Sequence, residues 1–383
     1  MTTILHLCNY TWETGGPPSV IYSHAEIQNE HQIEQHIYAS PDAIQHIYPI
    51  QINQKLFVFK RSILSKFLAD FSWPLIFSFI RNRNKYSHIN SHGLWNLGSI
   101  LPYLIPNSAK KIITLHGFLD AYVLKRSALS KRIFWVLIQK YCLKKADVLH
   151  VISKNELAFI QSNFPYLADK LVYVPNGFSL PSVTNEVEPI FKSKVDQVIS
   201  ENEITFLFLG RINKKKGLDL LVPAFRLVKQ KSNLGVKLLI VGPNDGYKDE
   251  LYRLIRENNL NSDSIELLDP VKGAEKDYLL RKCHVFILPS YSEGFSIAAL
   301  EAIAYGIPGI YSETIGFSDD VMTCHAGLIC ELNEDSIAKQ MYKLSIDANL
   351  RASISENGKK LYAEKYRIEK VALAYINEIL VTI

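Results

Sequence analysis

Short apolar segments, separated by longer mixed segments, recur along the whole chain. In the first half they are TILHLCN (3–9), SHINSHG (87–93), KIITLHG (111–117), DVLHVIS (147–153) and KLVYVPNG (170–177). Most end in polar residues or glycine, and segments of helical length, such as 127–145, lie between them. Strands that alternate with helices in this way predict βαβ units and a parallel sheet.

The same alternation starts again after a short stretch without periodicity, PNGFSLPS. It continues with EITFLFLG (203–210), a helix predicted at about 217–230, VKLLIVG (236–242), SIELLD (264–269) and HVFILPS (284–290). We therefore predict two α/β domains, 1–178 and 179–365. The final apolar segment, IEKVALAYINEIL, has helical spacing, and we expect a helix over 366–383 to return to the first domain and complete it.

Composition and charge are those of a globular protein with a basic first half. Of 383 residues, 48% are apolar and 21% are charged, which predicts a substantial core. Residues 1–180 hold 18 Lys and Arg against 10 Asp and Glu, whereas the remainder holds 25 against 28. The five cysteines form no CxxC pair and no metal-ligand spacing, so we expect reduced thiols in a cytoplasmic protein. The apolar run FSWPLIFSFI (71–80) is too short to cross a bilayer.

The ends of the predicted strands carry the candidate chemistry. Ligands of parallel sheets bind beyond the carboxyl ends of the strands, and with two sheets we expect the site in the cleft between them. In GRINKKKGLD (210–219), Arg211 and Lys216 flank a turn that leads from a strand into a helix. Two cations beside a helix N-terminus favour an anion such as a diphosphate, although a solvated lysine run is the alternative interpretation.

Two carboxylates lie eight positions apart in SEGFSIAALEA, at Glu293 and Glu301. Gly294 allows close backbone approach, and Ser296 is a plausible N-cap of the helix that contains Glu301. Backbone amides at 294–296 could hold a phosphate while the glutamates accept hydrogen bonds from hydroxyls on either side of it. Spacing alone instead favours a surface position for Glu301, because a buried carboxylate without a partner is costly.

The segment EGFSIAALEAIAYGIP resembles the E-x7-E signature of the family 4 glycosyltransferases. The resemblance covers essentially the whole chain, through TGGPPSV, TLHG, ADVLHVIS, PNG, GRINKKKGLD and VFILPS in that order. It implies the GT-B fold, in which two Rossmann-like parallel-sheet domains face each other across a cleft. The N-terminal domain would bind the acceptor and the C-terminal domain the nucleotide-sugar. The implied reaction moves a hexose from a UDP- or GDP-sugar, with retention, to a glycan or lipid-linked acceptor in surface polysaccharide or lipopolysaccharide synthesis.

The resemblance also implies a role for each matching residue. By this resemblance, Arg211 and Lys216 neutralise the donor diphosphate, Glu301 binds the ribose hydroxyls, and Glu293 contacts the hydroxyls of the transferred sugar. The backbone amides of Gly294, Phe295 and Ser296 contact sugar and phosphate, and Gly15 with Gly16 lets the first-domain loop approach the phosphate. His116 of TLHG is implied to face the reacting carbon, although a histidine at a strand end is by itself more often structural. His92, at an analogous strand end, is a weaker candidate for acceptor contact.

Some segments depart from the family pattern or keep an ordinary structural interpretation. TIGFSDDV matches clearly only at Gly316, and Asp319 is a candidate to replace the usual acid, which leaves the identity of the sugar open. Ser153 and Glu156 are interpreted as a helix-capping pair.

The chain contains no D-x-D motif, so we expect no metal and no cofactor beyond the donor itself. The cations and the helix N-terminus would then stabilise the leaving diphosphate. A Rossmann oxidoreductase would need G-x-G-x-x-G after the first strand, which NYTWETGGPPS does not supply. A nucleotide-sugar hydrolase or epimerase on the same fold, and a non-catalytic glycan-binding relative, remain open.

Basic and aromatic residues interleave at 55–88 and 125–145. The first segment holds seven Lys and Arg, a single acid, Asp70, and six Phe with one Trp. This pattern is typical of peripheral docking on anionic lipid, here the inner face of the cell membrane. The alternative is a pair of ordinary helices with aromatics inward and lysines outward. No recognised nucleic-acid-binding motif is present, so we do not expect a nucleic-acid partner.

Overall fold

The computed structural model describes residues 2–8, 16–40, 52–66, 68–119, 134–181, 186–200, 203–231 and 235–381. The chain divides into two compact units, one made of residues 1–177 and 367–383 and the other of residues 178–366. Each unit contains one parallel sheet with helices between its strands, as the alternation of apolar and mixed segments predicts.

The first unit is built on a seven-stranded parallel sheet of order β3-β2-β1-β4-β5-β6-β7. Its strands are β1 Thr2–Leu7, β2 Ile33–Ala39, β3 Gln54–Val58, β4 His88–His92, β5 Lys110–Thr114, β6 Val148–Val151 and β7 Leu171–Tyr173. Its described helices are α1 Gly16–Glu30, α2 Trp73–Asn82, α3 Leu101–Leu104, α4 Lys140–Lys145, α5 Lys154–Asn163 and, from the end of the chain, α14 Ile368–Tyr375. Shorter 3₁₀ or π segments are Ile63–Lys66, Arg83–Lys85, Leu97–Ser99, Trp135–Gln139, Pro165–Lys170 and Ile376–Val381.

Both faces of this sheet are buried, which explains why its central strands are apolar without strict alternation. Ile112 and Ile113, neighbours on β5, are both fully buried although they point to opposite faces. The C-terminal segment covers one of these faces: Val371, Tyr375 and Ile379 pack in one cluster with Ile112 and further strand residues. The last helix therefore belongs to the core of the first unit.

The second unit is built on a six-stranded parallel sheet of order β10-β9-β8-β11-β12-β13. Its strands are β8 Glu203–Leu209, β9 Gly235–Val241, β10 Ile265–Leu268, β11 Val285–Leu288, β12 Gly309–Ser312 and β13 Leu328–Cys330. Its helices are α6 Pro189–Val198, α7 Leu218–Lys231, α8 Lys248–Glu257, α9 Gly273–Lys282, α10 Ile297–Ala304, α11 Ser318–Thr323, α12 Glu334–Ile346 and α13 Ala348–Leu361, with short 3₁₀ or π segments at Lys214–Lys216 and Tyr362–Tyr366.

Each sheet has one point at which its strand order reverses, between β1 and β4 in the first and between β8 and β11 in the second. Connections on the two sides of such a point run to opposite faces of the sheet and leave a crevice at the carboxyl ends of the strands. The segments 210–217 and 289–296 follow β8 and β11 directly. Two of the segments that carry candidate site residues therefore meet at the reversal point of the second sheet.

The described residues contain no helix with both the length and the apolar character needed to span a membrane. Of the two basic and aromatic segments, 55–88 is described except for residue 67, whereas residues 125–133 of the other lie outside the described residues.

Candidate active site

The loops after β8 and β11 contact each other through their backbones. The amide of Tyr291 donates to the carbonyl oxygen of Lys215 at 2.9 Å. Gly217 has φ +73°, and a Cβ at this position would lie 1.9 Å from the carbonyl oxygen of Pro289. Only glycine fits such an approach. This contact fixes the lysine turn beside the segment that contains the two glutamates.

Lys216 and Glu293 form an ion pair across these loops. The Lys216 ammonium donates to Glu293 Oε2, and the two side chains are only 14% and 15% exposed. The sequence predicts both as site residues, but their pairing comes from the fold. Both charges are partly removed from water, so either would be costly without the other.

Arg211 lies on the more exposed side of the same turn. Its guanidinium bonds Asp245 Oδ2 at 2.8 Å, and the Arg211 side chain is 52% exposed. Asn213 Nδ2 reaches the same carboxylate at 3.1 Å. An exposed pair of this kind contributes little to stability, so the guanidinium can exchange its partner for an anion at low cost. Asp245, after β9, is not predicted from the sequence.

The turn before α10 presents backbone donors. Ser296 is the N-cap, as predicted, and its hydroxyl accepts from the Ala299 amide at 3.3 Å. Phe295 is a core side chain, with ring centroids 5.1 Å from Phe317 and 5.9 Å from Tyr366. A ligand can therefore meet Phe295 only through its backbone. The amides of Phe295 and Ser296 donate no hydrogen bond to any described residue, and they precede a helix N-terminus, which favours anions.

Glu301 is buried, so the surface position favoured by spacing alone is wrong. Its side chain is 6% exposed, and Lys276 Nζ of α9 bonds its Oε1 at 2.6 Å. Lys276 thus supplies the partner that a buried carboxylate requires. No sequence pattern singles out Lys276, because α9 and α10 meet only in the folded unit. The two glutamates consequently have different lysine partners.

His116 lies just beyond β5 in the first unit, in a left-handed conformation with φ +53°. The next amide, that of Gly117, donates to Glu156 Oε1 at 2.9 Å, while the Glu156 amide donates to the Ser153 hydroxyl at 3.1 Å. Ser153 therefore caps the helix through the Glu156 amide, as predicted, while the Glu156 carboxylate bonds the Gly117 amide, a contact that the sequence does not reveal. It holds the turn on which His116 sits.

Histidines from neighbouring strands stand behind His116. His116 Nε2 lies 2.9 Å from His92 Nδ1, and His92 Nε2 lies 3.0 Å from His6 Nδ1. Burial lowers the pKa of His6 and of His116 to about 3, and that of His92 well below 6.5. All three imidazoles are therefore neutral near pH 7. His92, the weaker candidate for acceptor contact, is 3% exposed and already has a histidine partner on each side.

The remaining candidates are placed as follows. Gly16 is the first residue of α1, and Gly15 lies outside the described residues. Asp319 is exposed, whereas Asp320 is buried and accepts from Lys365 Nζ at 2.7 Å and from the Tyr366 hydroxyl at 2.6 Å. Within the described ranges, no three His, Cys, Asp or Glu side chains are grouped in a way that could hold a metal ion.

Two family models match the chain, one in each half. Residues 14–180 match Glycosyltransferase Family 4, and residues 190–361 match Glycosyl transferases group 1. Together the two ranges take in most of the sequence.

Curated relatives are glycosyltransferases. An uncharacterised glycosyltransferase of Methanocaldococcus jannaschii is 27% identical over 267 residues, which are 70% of this chain and 67% of that protein. A capsular polysaccharide biosynthesis glycosyltransferase of Staphylococcus aureus is 30% identical over 179 residues. That alignment spans 46% of this chain and 45% of the staphylococcal protein, less than half of its length.

Solved structures share the fold over the whole chain. Sucrose-phosphate synthase of Thermosynechococcus elongatus has a TM-score of 0.80 at 17% identity and covers 99% of this chain and 98% of its own. HepE of Anabaena, in complex with UDP-glucose, has a TM-score of 0.77 at 18% identity and covers 100% of both chains. The two parallel-sheet units are thus those of the GT-B fold, as predicted.

Proposed function

This chain belongs to the group 1, or family 4, glycosyltransferases, and we propose that it moves a hexose from a UDP- or GDP-sugar to a glycan or lipid-linked acceptor. The proposed product is a surface polysaccharide or lipopolysaccharide, built at the cytoplasmic side of the membrane. The proposal includes retention of anomeric configuration and activity without a divalent ion.

The observation that carries the donor site is the Lys216–Glu293 pair at the strand-order reversal of the second sheet. A nucleotide-sugar offers a diphosphate for the lysine and sugar hydroxyls for the carboxylate. A nucleotide-sugar can therefore give both Lys216 and Glu293 a new partner, whereas separating the pair without a ligand would leave two partly buried charges unpaired. The amides of Phe295 and Ser296, which have no partner among the described residues, add donors for phosphate oxygens beside the same pair.

The nucleoside would lie on the side of Glu301. Lys276 occupies Oε1 of that carboxylate, and a carboxylate can accept further hydrogen bonds, here from ribose hydroxyls. HepE of Anabaena, which shares this fold, is seen with UDP-glucose, and this supports a nucleotide-sugar as the donor class. The staphylococcal relative supports a polysaccharide product.

Catalysis in this proposal consists mainly of stabilising the charge that develops on the departing diphosphate. Lys216, Arg211 and the N-terminus of α10 supply positive potential in place of a metal. Glu293 would hold the transferred sugar rather than attack it, and the departing phosphate would help to deprotonate the acceptor. His116 keeps in this proposal the role that the resemblance implies, next to the reacting carbon.

The donor proposal is tested by thermal unfolding with a panel of UDP-, GDP- and ADP-sugars in the presence of EDTA. We expect one donor to raise the melting temperature of the wild type and of Lys214→Ala, but not of Lys216→Ala or Glu301→Gln. Lys214 lies in the same turn as Lys216, is exposed, and is a matched control. No stabilisation by any donor, or stabilisation that needs Mg²⁺ or Mn²⁺, would overturn the metal-free site.

The reaction is tested by NMR of the product formed from the stabilising donor and a candidate acceptor. An anomer of the same configuration as the donor supports retention, and an inverted anomer refutes it. Release of the free sugar at the same rate with and without acceptors would instead indicate a hydrolase.

An anionic membrane is the proposed location of a lipid-linked acceptor. Helix α2 and the preceding 3₁₀ turn expose a set of large apolar side chains, Ile63 (85%), Leu64 (43%), Trp73 (50%), Phe77 (66%) and Ile80 (39%). Lys60, Arg81 and Lys85 are exposed on the same segment. Aromatics on this helix thus do not all point inward, and basic residues beside an exposed apolar face suit anionic lipid. Arg61 differs, because it pairs with Asp70.

Vesicle co-sedimentation tests this surface. We expect wild-type protein to bind vesicles with phosphatidylglycerol but not pure phosphatidylcholine, and Phe77→Asp to lose the binding. Ile190→Asp, on an exposed apolar residue of the second unit, is the matched control. Equal binding by Phe77→Asp and wild type, or no binding by the wild type, would remove the idea.

A further inference from the structure

Three imidazoles form a continuous hydrogen-bonded line through the first unit. They belong to three strands that are neighbours in the sheet: His6 lies on β1, His92 ends β4, and His116 follows β5. The N···N distances are 3.0 Å between His6 and His92 and 2.9 Å between His92 and His116. His116, which is partly exposed, has no described partner for its Nδ1.

A neutral imidazole has one donor nitrogen and one acceptor nitrogen, so each shared hydrogen bond constrains both rings. If His116 donates from Nε2, His92 must accept at Nδ1 and donate from Nε2, and His6 must accept at Nδ1 and carry its proton on Nε2. If His116 accepts at Nε2, all three rings carry the proton on Nδ1. The three histidines must therefore share one tautomer.

A small cavity lies along this line of histidines. Its volume is about 20 Å³, and its lining includes all three of them together with His24, Gln28 and Gln35. Nε2 of His6 and Nε2 of His24 are both buried without a hydrogen-bond partner among the described residues, in side chains that are 3% and 4% exposed. Such a cavity has the size and the polar partners that one buried water requires.

We propose that His6 and His92 are positioning residues that set, through this shared tautomer and a cavity water at His6 Nε2, whether His116 Nδ1 presents a donor or an acceptor to the substrate. The consequence for the substrate rests on the role proposed above for His116. A sugar hydroxyl can donate a hydrogen bond to Nδ1 or accept one from it. Only one of these two hydrogen bonds is compatible with the orientation in which the sugar reacts. A change at His6, two rings away, would then alter the group that His116 offers.

The tautomers can be read directly, without any turnover. The full chain is labelled with ¹⁵N-histidine, and long-range ¹H–¹⁵N spectra are assigned by the signals lost in His6→Asn, His92→Asn and His116→Asn. We expect the same tautomer to predominate at His6, His92 and His116 at pH 7.5. Different tautomers within the three, or an imidazolium among them, would overturn the proposal even if the protein proves to be an active transferase.

Variants at the far end test the positioning role. His6→Phe removes the partner of His92 Nε2, and we expect at least a two-fold change in the tautomer ratio of His116. His6→Asn keeps an amide at the position of Nδ1 and is expected to restore the wild-type ratio. His36→Phe, on β2 and outside the line, is the matched control and should leave the ratio unchanged. An unchanged His116 ratio in folded His6→Phe would refute the proposal.

Turnover gives the second readout once the panel above has identified a donor. We expect His6→Phe to lower kcat at least ten-fold with an unchanged Kd for that donor, and His6→Asn to recover most of the loss. Equal kcat for His6→Phe and wild type, with the tautomer ratio changed, would show that the line does not act on the substrate. If no donor is found, the tautomer experiment still decides the structural half of the proposal.

Discussion

Acid should unfold the first unit at a pH at which most proteins remain folded, because four of its histidines are buried and neutral. His6, His24, His92 and His150 are 2–4% exposed. Burial lowers the pKa of His6 and His24 to about 3 and that of His150 to about 4, and holds that of His92 well below 6.5. In the unfolded chain each would titrate near its usual pKa of about 6.5.

The sign follows from proton binding. Below pH 6.5 the unfolded chain takes up protons that the folded unit excludes, so the stability that neutral histidines provide is full above about pH 6.5 and is lost as the pH falls towards 4. At pH 5.5 the stability lost relative to neutral pH is about 1.4 kcal/mol for each histidine and about 5–6 kcal/mol for the four together. That loss is comparable to the whole stability of many domains, about 5–15 kcal/mol.

Tryptophan fluorescence isolates this unit, because all four tryptophans of the chain, at positions 12, 73, 95 and 135, belong to it. Urea titrations at pH 7.5, 6.5 and 5.5 should show a free energy of unfolding that falls by several kcal/mol over the last pH unit. His24→Phe should reduce the fall by about 1 kcal/mol. A free energy that stays constant within about 1 kcal/mol from pH 7.5 to 5.5 would refute the reasoning.

Two further predictions concern the second unit. Lys276→Met leaves buried Glu301 without its partner and should lower the free energy of unfolding by about 2 kcal/mol, less than for a fully buried pair because Lys276 is 32% exposed. Calorimetry should show a melting temperature lower by roughly 4–8 °C. A shift below about 1 °C would contradict the pairing. Gly217→Ala should prevent stable folding because its Cβ would strike Pro289, whereas Gly246→Ala, with φ +80° and open space, should cost only about 1–2 kcal/mol; equal circular dichroism melts for the two would contradict this.

Much of the fold can be predicted from the sequence, because strands that are buried on both faces consist mainly of consecutive apolar residues. The predicted strands of both sheets appear with bounds shifted by a few residues. Four strands are not singled out: β2 and β3, which polar residues interrupt, and the short strands β12 and β13. Gln35 of β2 is fully buried, yet it bonds Gln28 of α1 and accepts from Gln54 of β3 at 2.6 Å. A buried polar residue whose hydrogen-bond partners come from other elements interrupts the apolar run, so the strand cannot be predicted from apolar residues alone.

The candidate site was predictable only in part, for a related reason. Residues that lie at strand ends or in a recognisable motif, such as Lys216 and Glu293, are visible in the sequence. Their partners are not, because sheet order and helix packing decide them. Lys276 reaches Glu301 from another helix, Glu156 reaches the turn of His116, and neither contact has a sequence spacing that would reveal it.

The central claim, a metal-free nucleotide-diphosphate site at the Lys216–Glu293 pair, is tested most directly by calorimetric titration of UDP and GDP in EDTA. We predict that one nucleotide binds the wild type and Lys214→Ala with equal affinity, and that Lys216→Ala weakens it at least ten-fold. This difference would arise from a single charge at the strand-order reversal, since both variants remove a lysine from the same turn. Equal weakening by the two variants, or binding that appears only after a divalent ion is added, would contradict the account.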